Sequence, residues 1–292
     1  FKHPKAGEAN SNVNVYLYNL NKKEKSLVYT EEDYEYIPRI KWSKDPNILT
    51  LIGLNRHQNK LDFILVNAQD ASNNILFSEE DKYYIDINDN ITFLPNNFFI
   101  WTSEKKGYNH IFLKGLDGSE EQLTKGSWEV TSFDGLDSDK MQIFYRSTED
   151  GSTNRSLYML DLETGKKEKL STQIGTNSVK FSKGLKYYIN TYSNANTPPI
   201  YSLHKSDGSL VKIIEDNTEF TNKINEYNLS QKEIFTIYTE KADLNAWIIK
   251  PPNFDKNIKY PLLMFLYGGP GSQKVLNTVS YTHLTLPTTG IG

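Results

Sequence analysis

The sequence predicts an all-β propeller followed by the opening of an α/β domain. Three observations predict it. Nineteen tyrosines and fourteen phenylalanines among 292 residues can build a sizeable core and favour strands over helices. Turn chemistry recurs along the chain at a nearly even interval. And one apolar run, YPLLMFLY at 260–267, stops at Gly-Gly-Pro-Gly, as a buried parallel strand stops at the rim of an α/β sheet.

The repeat comes first in chain order. NVYLYNLNKKEKSLVY reads as strand, turn, strand, and so do LDFILVNAQDASNNILF, HIFLKGLDGSEEQLT, SLYMLDLETGKKEKLS and PIYSLHKSDGSLVKII. Asp117-Gly118, Thr164-Gly165 and Asp207-Gly208 supply the glycines that tight hairpins need for positive φ. The turns fall near residues 21, 70, 117, 164 and 207. A spacing of roughly 40–50 residues with several strands per unit marks a propeller blade. Candidate partner strands fill the intervals: IPRIKWSK and ILTLIGLNR, then ITFLP and FFIWTSEK, then WEVTSFDG and MQIFYRST, then SVKFSKG and KYYINTYS. A β-sandwich also shows closely spaced strands, but regularity over five units favours the propeller. KWSKDPN at 41–47 resembles the WSPDG turn of propeller blades, in which the tryptophan packs between neighbours.

Composition narrows the function classes. The formal net charge is −3, with Lys and Arg scattered, so no nucleic-acid footprint is present. The absence of cysteine excludes disulfides, thiolate catalysis and sulfur-ligated zinc. Asp and Glu never cluster with His at ligand spacing, so neither a metal nor another cofactor is expected. No run of 18 apolar residues occurs, so no segment is expected to span a membrane. Asn90, Asn154 and Asn228 stand in Asn-x-Ser/Thr sequons. The chain opens at Phe1 without a signal peptide, which reads as a processed product or a piece of something longer.

The texture changes after about residue 230. EIFTIYTEKADLNAWIIKPPNFD holds two longer strands, PPNFDKNIKYP is a polar, proline-rich connection, and LLMFLYGGPGSQ reads as a strand buried on both faces. The expected organisation is therefore a propeller over 1–230, incomplete at its N-terminus, the start of an α/β domain over 231–275, and a tail over 276–292.

HPKAGEAN, YIPRIKW, LNRHQNKLDFILV, WTSEKKGYNHIFL, LTKGSWEV, PIYSLH and YPLLMFLYGGPGSQ together span nearly residues 3–274. On these stretches the chain resembles dipeptidyl peptidase IV and its bacterial relatives, within the prolyl oligopeptidase family of serine peptidases. The resemblance implies an eight-bladed propeller, about five blades' worth of it here, joined to an α/β-hydrolase domain. It also implies release of dipeptides from peptides with Pro or Ala second from the N-terminus, by a Ser-Asp-His triad. The family tyrosine before Gly-Pro maps onto Tyr267, whose hydroxyl is the expected oxyanion donor. The tail resembles spurious sequence rather than the family.

No Gly-x-Ser-x-Gly occurs, and the family's serine, aspartate and histidine all lie beyond this chain. Ser272 has the wrong spacing for the nucleophile, and His283 lies in the unfamiliar tail. The family grips the substrate amine with paired glutamates, expected upstream of Phe1. Glu79-Glu80 imitates that pair, but a solvated turn is the favoured reading. Arg56, His57 and Gln58 suit structural hydrogen bonding better than a tunnel lining, and His110 reads as a packing histidine. The full-length protein is expected in a bacterial periplasm or cell envelope, as a homodimer. The competing reading is a propeller that binds a peptide or protein and does no chemistry. It leaves YPLLMFLYGGPG unexplained.

Overall fold

A computed structural model describes residues 5, 7–30, 34–87, 89–227, 229–266, 269 and 271–279. The chain forms two compact units, Phe1–Ser127 and Trp128–Gly292. In the first, a hairpin of β1 (Val15–Asn19) and β2 (Glu24–Val28) precedes two four-stranded blades. Blade one is β3 (Tyr36–Trp42), β4 (Ile48–Leu54), β5 (Lys60–Asn67) and β6 (Asn73–Glu80). Blade two is β7 (Thr92–Phe93), β8 (Phe98–Ser103), β9 (His110–Gly115) and β10 (Glu120–Gln122).

The second unit holds blade three, β11 (Val130–Asp137), β12 (Gln142–Ser147), β13 (Ser156–Asp161) and β14 (Lys167–Lys169). Blade four is β15 (Thr176–Phe181), β16 (Tyr187–Asn194), β17 (Thr197–Lys205) and β18 (Leu210–Glu215). A short helix, α1 (Thr218–Asn225), leads to a separate hairpin of β19 (Lys232–Tyr238) and β20 (Asp243–Ile249). Every strand pair is antiparallel and sequential, the meander of propeller blades.

The recurring turns near residues 70, 117, 164 and 207 join the third and fourth strands of a blade, and the one near 21 closes the β1–β2 hairpin. Asp70, Asp117 and Asp207 each accept the amide of the serine two residues on at 2.9 Å and its hydroxyl at 2.6 Å. The residue between them is left-handed: Ala71 at φ +62°, Gly118 at +90° and Gly208 at +86°. The aspartate thus replaces a missing backbone partner while glycine accepts the fold-back. Those serine hydroxyls and amides hold the three carboxyls below the usual aspartate range.

Alternation along the strands builds the core. In the first unit Phe63, Phe99, Trp101, Phe112 and Leu54 are fully buried between the faces of blades one and two. Phe63 stacks on Phe77 and Phe99 at centroid distances of 5.1 and 5.0 Å, and Trp101 meets it edge-on at 5.7 Å. In the second unit Phe144, Leu157, Met159, Leu170 and Tyr188 fill the same place between blades three and four. Truncating one such phenylalanine to alanine costs about 3–5 kcal/mol.

Two expectations are corrected. Trp42 does not pack between neighbours; it is 51% exposed, and Ile40 beside it 57%. Both lie on the face that carries Leu49 and Leu51, their partners across β4. The β1–β2 hairpin covers that face over β4 and β5, through Val15, Leu17 and Val28, and leaves β3 bare. The buried parallel strand does not form either. Residues 261–266 lie outside any strand, and Leu262, Leu263, Met264, Phe265 and Leu266 are 69–75% exposed. A parallel strand has no hydrogen bonds of its own and needs neighbours beside it; among the described residues β19 and β20 pair only with each other.

Candidate functional site

Chemistry-bearing residues of the second unit gather at the loops that join β12 to β13 and β16 to β17. The loop at 194–196 holds two distant segments. Asn196 Nδ2 donates to the Lys232 carbonyl at 3.1 Å and its Oδ1 accepts the Lys232 amide at 2.9 Å. The neighbouring Ala195 amide donates to Asn277 Oδ1 at 2.9 Å. Lys232 is buried, its Nζ donating to the Thr278 carbonyl at 2.8 Å and lying 5.6 Å from the Trp247 ring centroid. Burial pushes its ammonium below the usual lysine range.

The loop at 148–155 is anchored by charge. Asp150 accepts Lys169 Nζ at 2.7 Å, the Ser156 hydroxyl, and the Tyr158 hydroxyl at 3.2 Å. Burial opposes ionisation there, but these donors outweigh it and leave the carboxyl below its ordinary value. Arg146 grips Asp134 with Nε at 3.0 Å and Nη2 at 2.9 Å, the bidentate geometry that suits a guanidinium. Beside them Tyr145 stacks on Tyr158, with its buried hydroxyl beside Glu149. Burial pushes the Tyr145 phenol far above its usual range.

A cavity of about 380 Å³ opens between blades three and four, lined by Leu157, Leu170, Tyr188, Asn190, Ser202 and His204. Both ring nitrogens of His204 are engaged there, Nε2 with the Ser202 hydroxyl at 2.8 Å and Nδ1 with the Gly208 carbonyl at 3.0 Å.

Tyr267, the expected oxyanion donor, lies outside the described residues, as do Gly268 and Pro270. The rest of its loop turns tightly, the Ser272 amide donating to the Gly269 carbonyl at 3.2 Å with Gly271 at φ +64°. Ser272 thus serves the turn. His283 and Asn228 also lie outside the described residues.

Glu79 is no solvated turn residue. It lies near the end of β6, where Oε1 accepts the Trp101 indole N–H at 2.9 Å and Oε2 the Ser103 hydroxyl at 2.8 Å. It ties blade one to blade two; Glu80 is exposed. Arg56 Nη1 donates to the Tyr36 hydroxyl at 2.7 Å and to Glu35 at 3.2 Å, between β4 and β5 with exposed His57 and half-buried Gln58. His110 is buried, with Nδ1 3.2 Å from the Thr124 hydroxyl and Nε2 3.1 Å from the Gly126 carbonyl. Asn154 is 8% exposed, its amide donating to the Asp150 carbonyl at 2.7 Å, so its sequon is folded away. Asn90 is bonded to the Thr102 hydroxyl at 3.2 Å. Among the described residues no group of three or more His, Cys, Asp or Glu is placed to hold a metal ion, and no helix is long and apolar enough to cross a membrane.

Sequence reasoning missed Asn196, Lys232 and Asn277. Their only local signal is the asparagine-rich SNANTPP turn, whose partners are 36 and 82 residues away.

The fold has close counterparts. A crystal structure of dipeptidyl peptidase 4 from Porphyromonas gingivalis superposes with a TM-score of 0.89 at 36% identity, covering 97% of this chain and 41% of that one. "Probable dipeptidyl-aminopeptidase B" of Aspergillus terreus is 28% identical over 94% of this chain and 32% of its own length. Dipeptidyl peptidase 4 of Trichophyton rubrum is 28% identical over 94% of this chain and 37% of its own. The chain thus spans about a third of the length of the curated relatives it matches. The family described as the dipeptidyl peptidase IV N-terminal region matches residues 1–199, and this chain belongs to that family.

Proposed function

We propose that this chain is part of a serine exopeptidase that releases N-terminal Xaa-Pro and Xaa-Ala dipeptides from peptides. Residues 1–230 are its propeller and 231–275 open its peptidase domain. A serine oxygen adds to the peptide carbonyl as histidine takes its proton, histidine passes that proton to the leaving amine, and water then hydrolyses the acyl-enzyme. Tyr267 donates its hydroxyl to the oxyanion of each tetrahedral intermediate. The observation that carries this reading is the order of parts: family blades, then YGGPGSQ at 267–273, on one chain. With no Gly-x-Ser-x-Gly in its sequence, the 292-residue chain alone hydrolyses nothing. The intact enzyme works as a homodimer in a bacterial envelope, a placement supported by the Asn- and Lys-rich, cysteine-free composition.

Tyr267→Phe in a form with a complete peptidase domain tests the assignment. Loss of one oxyanion donor lowers kcat about 10²–10³-fold, or about 2.7–4 kcal/mol, with KM nearly unchanged. A rate within about threefold of wild type removes Tyr267 from the mechanism. Labelling of the 292-residue chain by a fluorophosphonate, abolished by a substitution within it, would overturn its expected inactivity.

A further inference from the structure

Asn277 lies ten residues beyond Tyr267, inside the 276–292 stretch expected to be a tail, yet each of its polar groups is engaged by the second unit. Its backbone N–H donates to the Thr153 carbonyl at 2.8 Å, and its carbonyl accepts the Thr176 hydroxyl at 3.0 Å. Its Oδ1 accepts the Ala195 amide at 2.9 Å, and its Nδ2 donates to Asn154 Oδ1 at 2.9 Å. Thr278 extends the grip, with its hydroxyl 2.7 Å from Ser193 Oγ and its carbonyl accepting Lys232 Nζ at 2.8 Å. The partners of Asn277 come from the β12–β13 loop, the start of β15 and the β16–β17 loop, and those of Thr278 from β16 and the start of β19.

By contrast, the chain leading to Tyr267 is held weakly. Residues 251–266 are exposed throughout and belong to no strand or helix. The segment that carries the loop is therefore fastened upstream by the β19–β20 hairpin and downstream by Asn277. A side chain whose amide is used at both ends fixes orientation as well as place, because neither atom can turn without losing a partner.

We infer that Asn277 is a positioning residue: it pins the downstream end of the loop carrying Tyr267 to the loops of blades three and four. The inference rests on the oxyanion reading of Tyr267 for its catalytic consequence, and on the hydrogen bonds alone for the docking itself. Asp at 277 keeps the acceptor for Ala195 but sets a carboxylate oxygen against Asn154 Oδ1, whose own amide is committed to the Asp150 carbonyl. Asn277→Asp is thus a nearly isosteric break.

The docking is read by hydrogen exchange on the 292-residue chain. In Asn277→Ala, which removes the acceptor, the Ala195 amide exchanges at least about tenfold faster, while amides of β12 keep their protection. Unchanged exchange at Ala195 overturns the proposal. The positioning is read in a form with a complete peptidase domain. Asn277→Asp lowers kcat about tenfold at constant KM, and lowers it no further when Tyr267 is already Phe. Full kcat in Asn277→Asp overturns the positioning role and leaves the oxyanion reading standing. An equal loss in the Tyr267→Phe background also overturns it, since Asn277 then acts on something else. Full kcat in Tyr267→Phe strikes down the oxyanion reading and the positioning role with it, while the exchange result still reports the docking.

Discussion

Asn196 and Lys232 hold each other as two paired strands would. One side-chain amide both donates to the Lys232 carbonyl and accepts from its N–H, at 3.1 and 2.9 Å. The pair closes where β19 begins, and Lys232 is 4% exposed, so water cannot replace what is lost. Asn196→Ala is expected to destabilise the second unit by about 1–3 kcal/mol, two neutral hydrogen bonds with buried backbone groups left behind. Urea denaturation followed at Trp247 checks it; a midpoint equal to wild type contradicts the clasp.

Glu79 offers a choice between substrate binding and structure. Its carboxylate bonds to Trp101 and Ser103, both nearly fully buried. Glu79→Ala removes both acceptors and leaves the buried Trp101 indole N–H unpaired, so stability should fall by about 1–3 kcal/mol. A carboxylate kept for capturing an amine predicts unchanged melting and a raised KM instead.

Tyr145 and Tyr158 stack at 5.6 Å, yet their hydroxyls differ. Tyr158 donates to Asp150, whereas the buried Tyr145 hydroxyl lies beside Glu149 without a well-formed hydrogen bond. Tyr158→Phe should cost about 1 kcal/mol, whereas Tyr145→Phe should cost less or be neutral, since it removes a buried hydroxyl that makes no well-formed hydrogen bond. Equal losses in the two variants would show that Tyr145 has a partner after all.

The buried phenols also set an alkaline limit. Burial, with Asp207 adding to it, pushes Tyr188 up to about 12. In the unfolded chain it ionises near the ordinary value of about 10. The folded state therefore holds the proton longer, and stability is full below about pH 10 and falls as the pH climbs toward 12. Tyr188→Phe should show a shallower alkaline decline than wild type, with the difference gone at pH 8. Chemical denaturation at stepped pH measures this, and parallel curves would refute it.

Gly118 tests the repeated turn. A Cβ there meets nothing within 4 Å, so Gly118→Ala isolates the cost of φ +90°. About 1–2 kcal/mol of destabilisation is expected. Asp117→Ala removes the acceptor of both Ser119 bonds and should cost a similar amount or less. Melting of the two variants decides whether backbone or side chain dominates the turn.

The third-to-fourth-strand hairpins were legible in the sequence because their chemistry is local. At 117–119 and 207–209 an aspartate, a glycine and a serine in a row carry the whole turn, and alternating apolar residues on either side declare the strands. Packing of Phe63 against Phe99 and Trp101 follows from the same alternation. Other features needed the tertiary structure. Glu79 looks like any surface acid until β8 brings Trp101 to it. Asn154 reads as a glycan acceptor until Asn277, 123 residues on, uses its carbonyl. Trp42 looks like a packing tryptophan, but the two-stranded hairpin beside it stops short of β3. YPLLMFL has the pattern of a central strand and forms none, because a strand exists only through partners. Local pattern determines which backbone shape a segment prefers and which face is apolar. Only the fold decides which distant groups meet, since hydrogen bonds and burial depend on neighbours that sequence spacing does not encode.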